Sequence, residues 1–409
     1  MQQKPVKEEI FIKVTGIICE YNPFHNGHLH HIEETRKNGA THIVAVMSGN
    51  FVQRGDIAVM NKLDRAKLAV KSGADLVIEI PVPYCLAPAE IYAKGAVYLL
   101  SAMGVADEIS FGSECGDIEK LEKALEISDK AVKNNLGDIH ELMEKGYTYP
   151  RALTSIVMRY SEEAGETILQ PNNILAIEYM RALKKYAPDM GKFTVKRKSV
   201  PHDGGFSDDG FASASYIREQ LKTGFDTIEN YTTPLWSSAV RTASENGELA
   251  DINRLERIIL YKLRTVSPEE ISDICDISAG MDKRIYNARM SGSLDELEFT
   301  VKSKNYTMSR IRRALLNILI GIKKDDIKIL PPYIRILASN ERGIDILSEM
   351  KRKSVLPYNT SLAKLAEISP EAERFTQLEA RASDIYGLGL YKIQSAQKDY
   401  RSKFVIDLD

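Results

Sequence analysis

The feature that most restricts the fold is an alternation near the start of the chain. Residues 13–19, 42–47 (HIVAVM), 75–80 (DLVIEI) and 105–111 are apolar runs of strand length. Residues 27–37, 61–72 and 87–103 lie between them and have helical length and period. Strands that are apolar on both faces are buried on both faces, and strands separated by helices form parallel βαβ units. The expectation is an α/β fold with a doubly wound parallel sheet. A returning strand is predicted at residues 193–198 (FTVKRK) and a short helix at 213–222, with mostly helical sequence over 118–186.

At 409 residues the chain exceeds what one hydrophobic core usually organises. Beyond Thr232-Thr233-Pro234 nearly everything has a helical period or loop composition, including the Leu/Ile-rich stretches 255–263 and 311–322. The expected division is a polar N-terminal extension over residues 1–11, a sheet domain over 12–233 and an added helical C-terminal domain over 234–409. A formal net charge of −2 gives no global attraction to nucleic acid or membrane. Cys19, Cys85, Cys115 and Cys275 form no C-x-x-C pair, which argues against a zinc ribbon or a disulfide framework. No stretch has transmembrane length and no signal-peptide pattern is present. The expected location is the cytoplasm, with no membrane partner and no obligatory protein partner.

The first predicted strand ends in Cys19-Glu20-Tyr21-Asn22-Pro23-Phe24-His25-Asn26-Gly27-His28, which then opens the first helix. Ligands of open α/β sheets sit at the carboxyl ends of the strands, and a helix N-terminus there offers free N–H groups to phosphate. Gly27 permits close approach of a triphosphate. His25 and His28 lie three apart, so both rings can face the same phosphates and stabilise charge that grows as pyrophosphate departs. A metal cluster with His30 and His31 is the competing reading, and neither Cys nor an H-E-x-x-H arrangement supports it; no metal ligands are assigned to side chains.

Placed after a first strand, His25-Asn26-Gly27-His28 resembles the H-x-G-H signature of the nucleotidyltransferase superfamily. Ser213-Ala214-Ser215-Tyr216-Ile217-Arg218 resembles its second signature, in which serine hydroxyls and a helix start hold the β- and γ-phosphates. Three longer runs are more specific: Glu20 through His28, Met47-Ser48-Gly49-Asn50-Phe51-Val52-Gln53-Arg54-Gly55, and Gln170-Pro171-Asn172-Asn173-Ile174-Leu175. Together they resemble the tRNA(Met) cytidine acetate ligase family, strongly over residues 14–218 and more weakly beyond.

The resemblance implies a two-step reaction. Acetate attacks the α-phosphate of ATP, accompanied by Mg²⁺, to give acetyl-adenylate; N4 of the wobble cytidine of elongator tRNA(Met) then takes the acetyl group and AMP leaves. It also implies ATP contacts from Cys19 through His31, and at Gly112, Asn172 and Arg197. Asn172 or Asn173 could instead cap a helix, and Ser48, Gly49 and Asn50 are candidates for the acyl substrate. Lys62 and Arg65 could face phosphates or merely solvent. Glu20 or His28 could remove the N4 proton, and the sequence leaves that choice open. For the RNA, Lys302, Lys304, Arg310, Arg312 and Arg313 form a basic stretch with Tyr286 and Tyr306 interleaved. A small-molecule adenylyltransferase joining ATP to a phosphorylated metabolite would use the same two signatures, but has little use for a basic helical second half. A non-catalytic RNA-binding protein would not need both histidines and Arg218.

Overall fold

The computed structural model describes residues 12–198, 205–207, 209–224, 228–402 and 404–406; the N-terminal extension expected at 1–11 lies outside them. The strands are β1 (Val14–Cys19), β2 (His42–Ser48), β3 (Phe51–Val52), β4 (Asp56–Ile57), β5 (Leu76–Ile80), β6 (Glu108–Ser113), β7 (Gly191–Lys196), β8 (Ile334–Ser339), β9 (Tyr358–Asn359) and β10 (Val405–Ile406). Among the described residues the main sheet runs β10-β8-β5-β2-β1-β6-β7, with β9 beside β8, and β3–β4 form a separate hairpin.

From β5 to β7 the sheet is parallel. β1 is its centre: Ile17 lies between Ala45 of β2 and Ser110 of β6. The order reverses direction at β1–β6, so their carboxyl ends open a crevice at the switch point. The predicted strands are buried because helices cover both faces. On one face the helix Ala89–Ala102 lies so close to β1 that a Cβ on Gly16 would come within 2.3 Å of Leu100. The other face packs on the helix Lys62–Lys71 and on Trp236 and Val240 of the helix Pro234–Glu245.

The second half of the chain is mostly helical, as expected, and also contributes the strands β8, β9 and β10. β8 pairs antiparallel with β5, so residues beyond Pro234 extend the main sheet. Residues 255–322 and part of the helix Pro370–Leu388 form a separate apolar cluster that also takes in Phe51, Ile57, Val82 and Leu86. The hairpin joins the two regions: at Gly55, whose φ is +77°, a Cβ would meet the Arg313 backbone at 2.6 Å. Packing therefore runs across the boundary expected at Pro234.

Candidate active site

β1 ends at Cys19 and the chain turns through Tyr21, whose φ of +46° is unusual for a side chain of this size. The helix Asn26–Lys37 starts at His25. The histidines supply its cap: His25 Nδ1 accepts from Gly27 N at 3.1 Å, and His28 Nδ1 accepts from His25 N at 3.2 Å. A nitrogen that accepts a backbone N–H carries no proton, so each neutral ring holds its proton on Nε2. Neither Nε2 has a partner among the described residues, and both rings line the crevice. The pair is stacked, with centroids 3.8 Å apart and planes 22° from parallel.

Tyr21 meets His28 edge-on at 5.0 Å, and Phe24 lies 5.5 Å from it. Phe24 in turn stacks on Trp236 at 5.2 Å. Polar ties hold the same turn from the far side: Arg218 donates to the Asn22 carbonyl at 2.9 Å, Asn26 Nδ2 to Gly210 O at 2.8 Å, and Thr232 Oγ1 to Phe24 O at 2.7 Å. Trp236 and Thr232 are contributors that the sequence did not single out, since nothing local links them to a turn about two hundred residues earlier.

Burial, then the charge of Arg197, pushes the His25 pKa down to about 3. Burial, His25 and Arg197 together hold His28 well below its usual range. His31 is pushed down to about 4 mainly by burial, and its Nε2 lies 2.9 Å from Ser110 Oγ, which ties it to the sheet. At neutral pH His25 and His28 are therefore uncharged donors. The positive charge of the crevice comes from Lys196, Arg197 and Lys198, which line it and are exposed. Arg197 lies across Gly112, where a Cβ would come within 3.4 Å of its Cγ.

The expected ATP residues divide. Cys19, Tyr21, His25, Gly27, His28, Gly112, Asn172 and Arg197 line the crevice, together with the unforeseen Phe111, Tyr179 and Phe211. Glu20 and Asn22 line an adjoining cavity that shares His28 and Asn172 with it. Pro23 and Phe24 are buried behind the turn, and Asn26 is occupied in holding it. The serines of the second signature do structural work: Ser213 caps its helix through Tyr216 N and Ser215 Oγ accepts from Arg218, while Ala212 and Ala214 face the cavities.

The Asn172/Asn173 alternative also resolves. Asn173 is buried, accepting from Glu114 N and Cys115 N and donating to Thr167 O. Glu114 takes the capping role, its carboxylate accepting from Asn172 N, Asn172 Nδ2 and Asn173 N. Asn172 Oδ1 keeps its accepting capacity beside Leu175 and Tyr179.

Other expectations are corrected. Ser48 and Asn50 are buried and line neither cavity. The carbonyls of Ser48 and Gly49 accept from Arg65, and Asn50 Oδ1 accepts from Lys62 N at 2.8 Å. These residues brace the loop after β2. Lys62 and Arg65 reach neither phosphate nor solvent, because both are buried in the protein's own bonds. Arg313 is also buried, with Nη2 2.7 Å from Asp276, so RNA cannot reach it. Arg310 shares Asp276 at 3.2 Å, and Arg312 is held bidentately by Glu298 at 2.8 and 3.0 Å. Lys302 and Lys304 remain exposed.

A parallel sheet with paired histidines capping the helix at its switch point defines a HIGH-type nucleotidyltransferase, and residues 12–402 match the HIGH Nucleotidyl Transferase family. The chain is 39% identical over 404 residues to the tRNA(Met) cytidine acetate ligase of Caldanaerobacter subterraneus, covering 95% of this chain and 98% of that one. It is 35% identical to the enzyme of the same name from Acetivibrio thermocellus, covering 92% and 94%. The crystal structure of Thermotoga maritima TmcAL bound with alpha-thio ATP superposes with a TM-score of 0.88 at 30% identity, covering 97% of this chain and 99% of that one. The chain belongs to the tRNA(Met) cytidine acetate ligase family.

Proposed function

We propose that this chain activates acetate with ATP as acetyl-adenylate and transfers the acetyl group to N4 of the wobble cytidine of elongator tRNA(Met). The observation that carries the reading is the fixed tautomer of His25 and His28: two neutral Nε2–H donors, preset by backbone caps, at the mouth of a parallel sheet. Donors held in place before the reaction need no reorganisation as charge builds on the α-phosphate and pyrophosphate. Lys196, Arg197 and Lys198 add the charge that attracts the triphosphate. Among the described residues no group of three or more His, Cys, Asp or Glu side chains stands ready to hold a metal. The cleft's donors suit phosphate, so Mg²⁺ would enter with ATP, held by phosphate oxygens and water, and would neutralise triphosphate charge.

The Thermotoga structure bound with alpha-thio ATP supports an ATP site in the same fold, and the relatives' names support the tRNA substrate. They count against a metabolite adenylyltransferase, as does coverage of nearly their whole length. No helix of the described residues is long and apolar enough to cross a membrane, and all four cysteines are free. Both fit an enzyme working on tRNA in the cytoplasm.

The test is incubation with ATP, radiolabelled acetate and bacterial tRNA, followed by nucleoside analysis. Label in N4-acetylcytidine, together with acetate-dependent exchange of pyrophosphate into ATP, is expected. Absence of acetate-dependent exchange in the unaltered protein would overturn the reading.

A further inference from the structure

The cavity beyond His28 is lined by Glu20, Asn22, Gln53, Arg54 and Tyr92 and measures about 230 Å³, more than tenfold the roughly 10–15 Å³ that one water requires. Glu20 is held there by one oxygen, Oε1 accepting from Gln53 N at 2.8 Å. Its Oε2 has no hydrogen-bond partner among the described residues. Asn22, 2% exposed, spends Oδ1 on Val59 N at 2.8 Å, which leaves its buried Nδ2 without a partner. Buried polar groups are rarely left unpaired without a reason. Glu20 Oε2, an acceptor with spare capacity on the wall of this cavity, matches an edge that offers an amine hydrogen.

We propose that this cavity is the subsite for the Watson–Crick edge of a pyrimidine bearing an exocyclic amine, and that Glu20 receives the amine proton during acetyl transfer. The proposal rests on the acetylation reading above. A carboxylate accepting from cytosine N4 is a standard pairing, and enzymes acting on a base read that edge after unstacking it. His28 lines both cavities, so it marks the junction where the α-phosphate and the acetyl carbon meet. In the transfer step the N4 lone pair forms a bond to the acetyl carbonyl carbon. The bond from that carbon to the phosphate oxygen breaks, and its electron pair leaves with AMP. One N4 proton passes to Glu20 Oε2 and then to water. His28 cannot accept it, because Nδ1 is occupied by His25 N–H and Nε2 already carries a proton.

Burial raises the Glu20 pKa above the usual carboxylate value, against the lowering influence of Gln53 N–H and of Arg54, Arg218 and Arg65. The shift makes the carboxylate a better proton acceptor.

The experiment compares two rates in the full-length protein: acetate-dependent pyrophosphate exchange, and single-turnover acetyl transfer to tRNA from preformed adenylate. Glu20→Gln keeps an oxygen for Gln53 N–H but loses basicity. Its transfer rate should fall by about 10²–10⁴-fold, far more than its exchange rate. Glu20→Asp retains a carboxylate and should transfer faster than Glu20→Gln. Transfer by Glu20→Gln within threefold of the unaltered enzyme, equal loss in both variants, or equal loss of exchange and transfer would each overturn the proposal. Failure of exchange in the unaltered enzyme would instead strike the parent reading.

Discussion

Two regions of this molecule concentrate polar groups, and they treat them in opposite ways. Where β5 meets β8, Lys62 lies 2.6 Å from Glu79 and 2.7 Å from Asp399, and Arg335 reaches Glu79 at 2.9 Å and Asp399 at 2.6 Å. Glu379 completes this cluster, 3.6 Å from Lys62, its pKa raised to about 8 by burial and by Glu79. Protonated Glu379 leaves two cations facing two carboxylates, so the buried charge balances. In the crevice at β1–β6, His25 and His28 keep unpartnered Nε2–H groups, the nearby cations are exposed, and Glu20 keeps a free oxygen. A compensated cluster locks β5, β8 and the last helical segments together; an uncompensated one is ready for a ligand. Hydrogen-bonding capacity left over, more than charge content, separates the site from the scaffold.

The comparison breaks first, and most strongly, at Lys62. Lys62→Met should strand buried carboxylates and destabilise the fold by about 3–5 kcal/mol, read as a lowered denaturant midpoint at unchanged m-value. A change below 1 kcal/mol would mean that the cluster is not a locked unit.

The mirror-image change is His25→Asn. Asparagine is a strong N-cap, so the helix start keeps its acceptor while the crevice loses one Nε2–H donor. Acetate-dependent pyrophosphate exchange should fall by about 10²–10³-fold, with little change in melting temperature. Near-normal exchange would remove His25 from the chemistry.

The pH response sharpens the same contrast. His25 is held near 3 in the folded protein, against an ordinary 6.5. Between these values the unfolded chain binds the extra proton, so stability falls as pH falls through that window and the effect is absent above it. Replacing His25 by Asn should flatten the slope of stability against pH between 6 and 4 by about 1.4 kcal/mol per pH unit. An unchanged slope would show that the ring is not protected from protonation.

What the sequence disclosed follows the range of the interactions involved. β1, β2, β5 and β6 were legible because double-sided burial writes itself as an uninterrupted apolar run. β8 was missed because Arg335 interrupts its run: the arginine answers Glu79, 256 residues away, and no local window carries that pairing. The turn that carries the histidine pair was legible because its cap and its bend lie in one short segment. The basic stretch misled because composition counts arginines and not their partners; Asp276 and Glu298 absorb three of the five cations assigned to RNA. Glu114 was overlooked for the same reason, since its role is defined by a helix that begins 57 residues later.

That last point yields the smallest expected effect, and it extends the rule about spare capacity to the RNA surface. Lys302 and Lys304 have no ion-pair partner among the described residues, whereas Arg312 is gripped at both ends of its fork by Glu298. Each free lysine that meets a phosphate adds about one unit to the salt dependence of binding. The Lys302→Ala, Lys304→Ala double variant should therefore lower the slope of log affinity against log salt by about 2, while Arg312→Ala should leave it near its original value. Both should keep acetate-dependent pyrophosphate exchange, because neither touches the crevice. If Arg312→Ala flattens the salt slope more than the lysine pair does, an internal partner does not withdraw a cation from RNA here, and unpaired groups would lose their value as markers of the working surface.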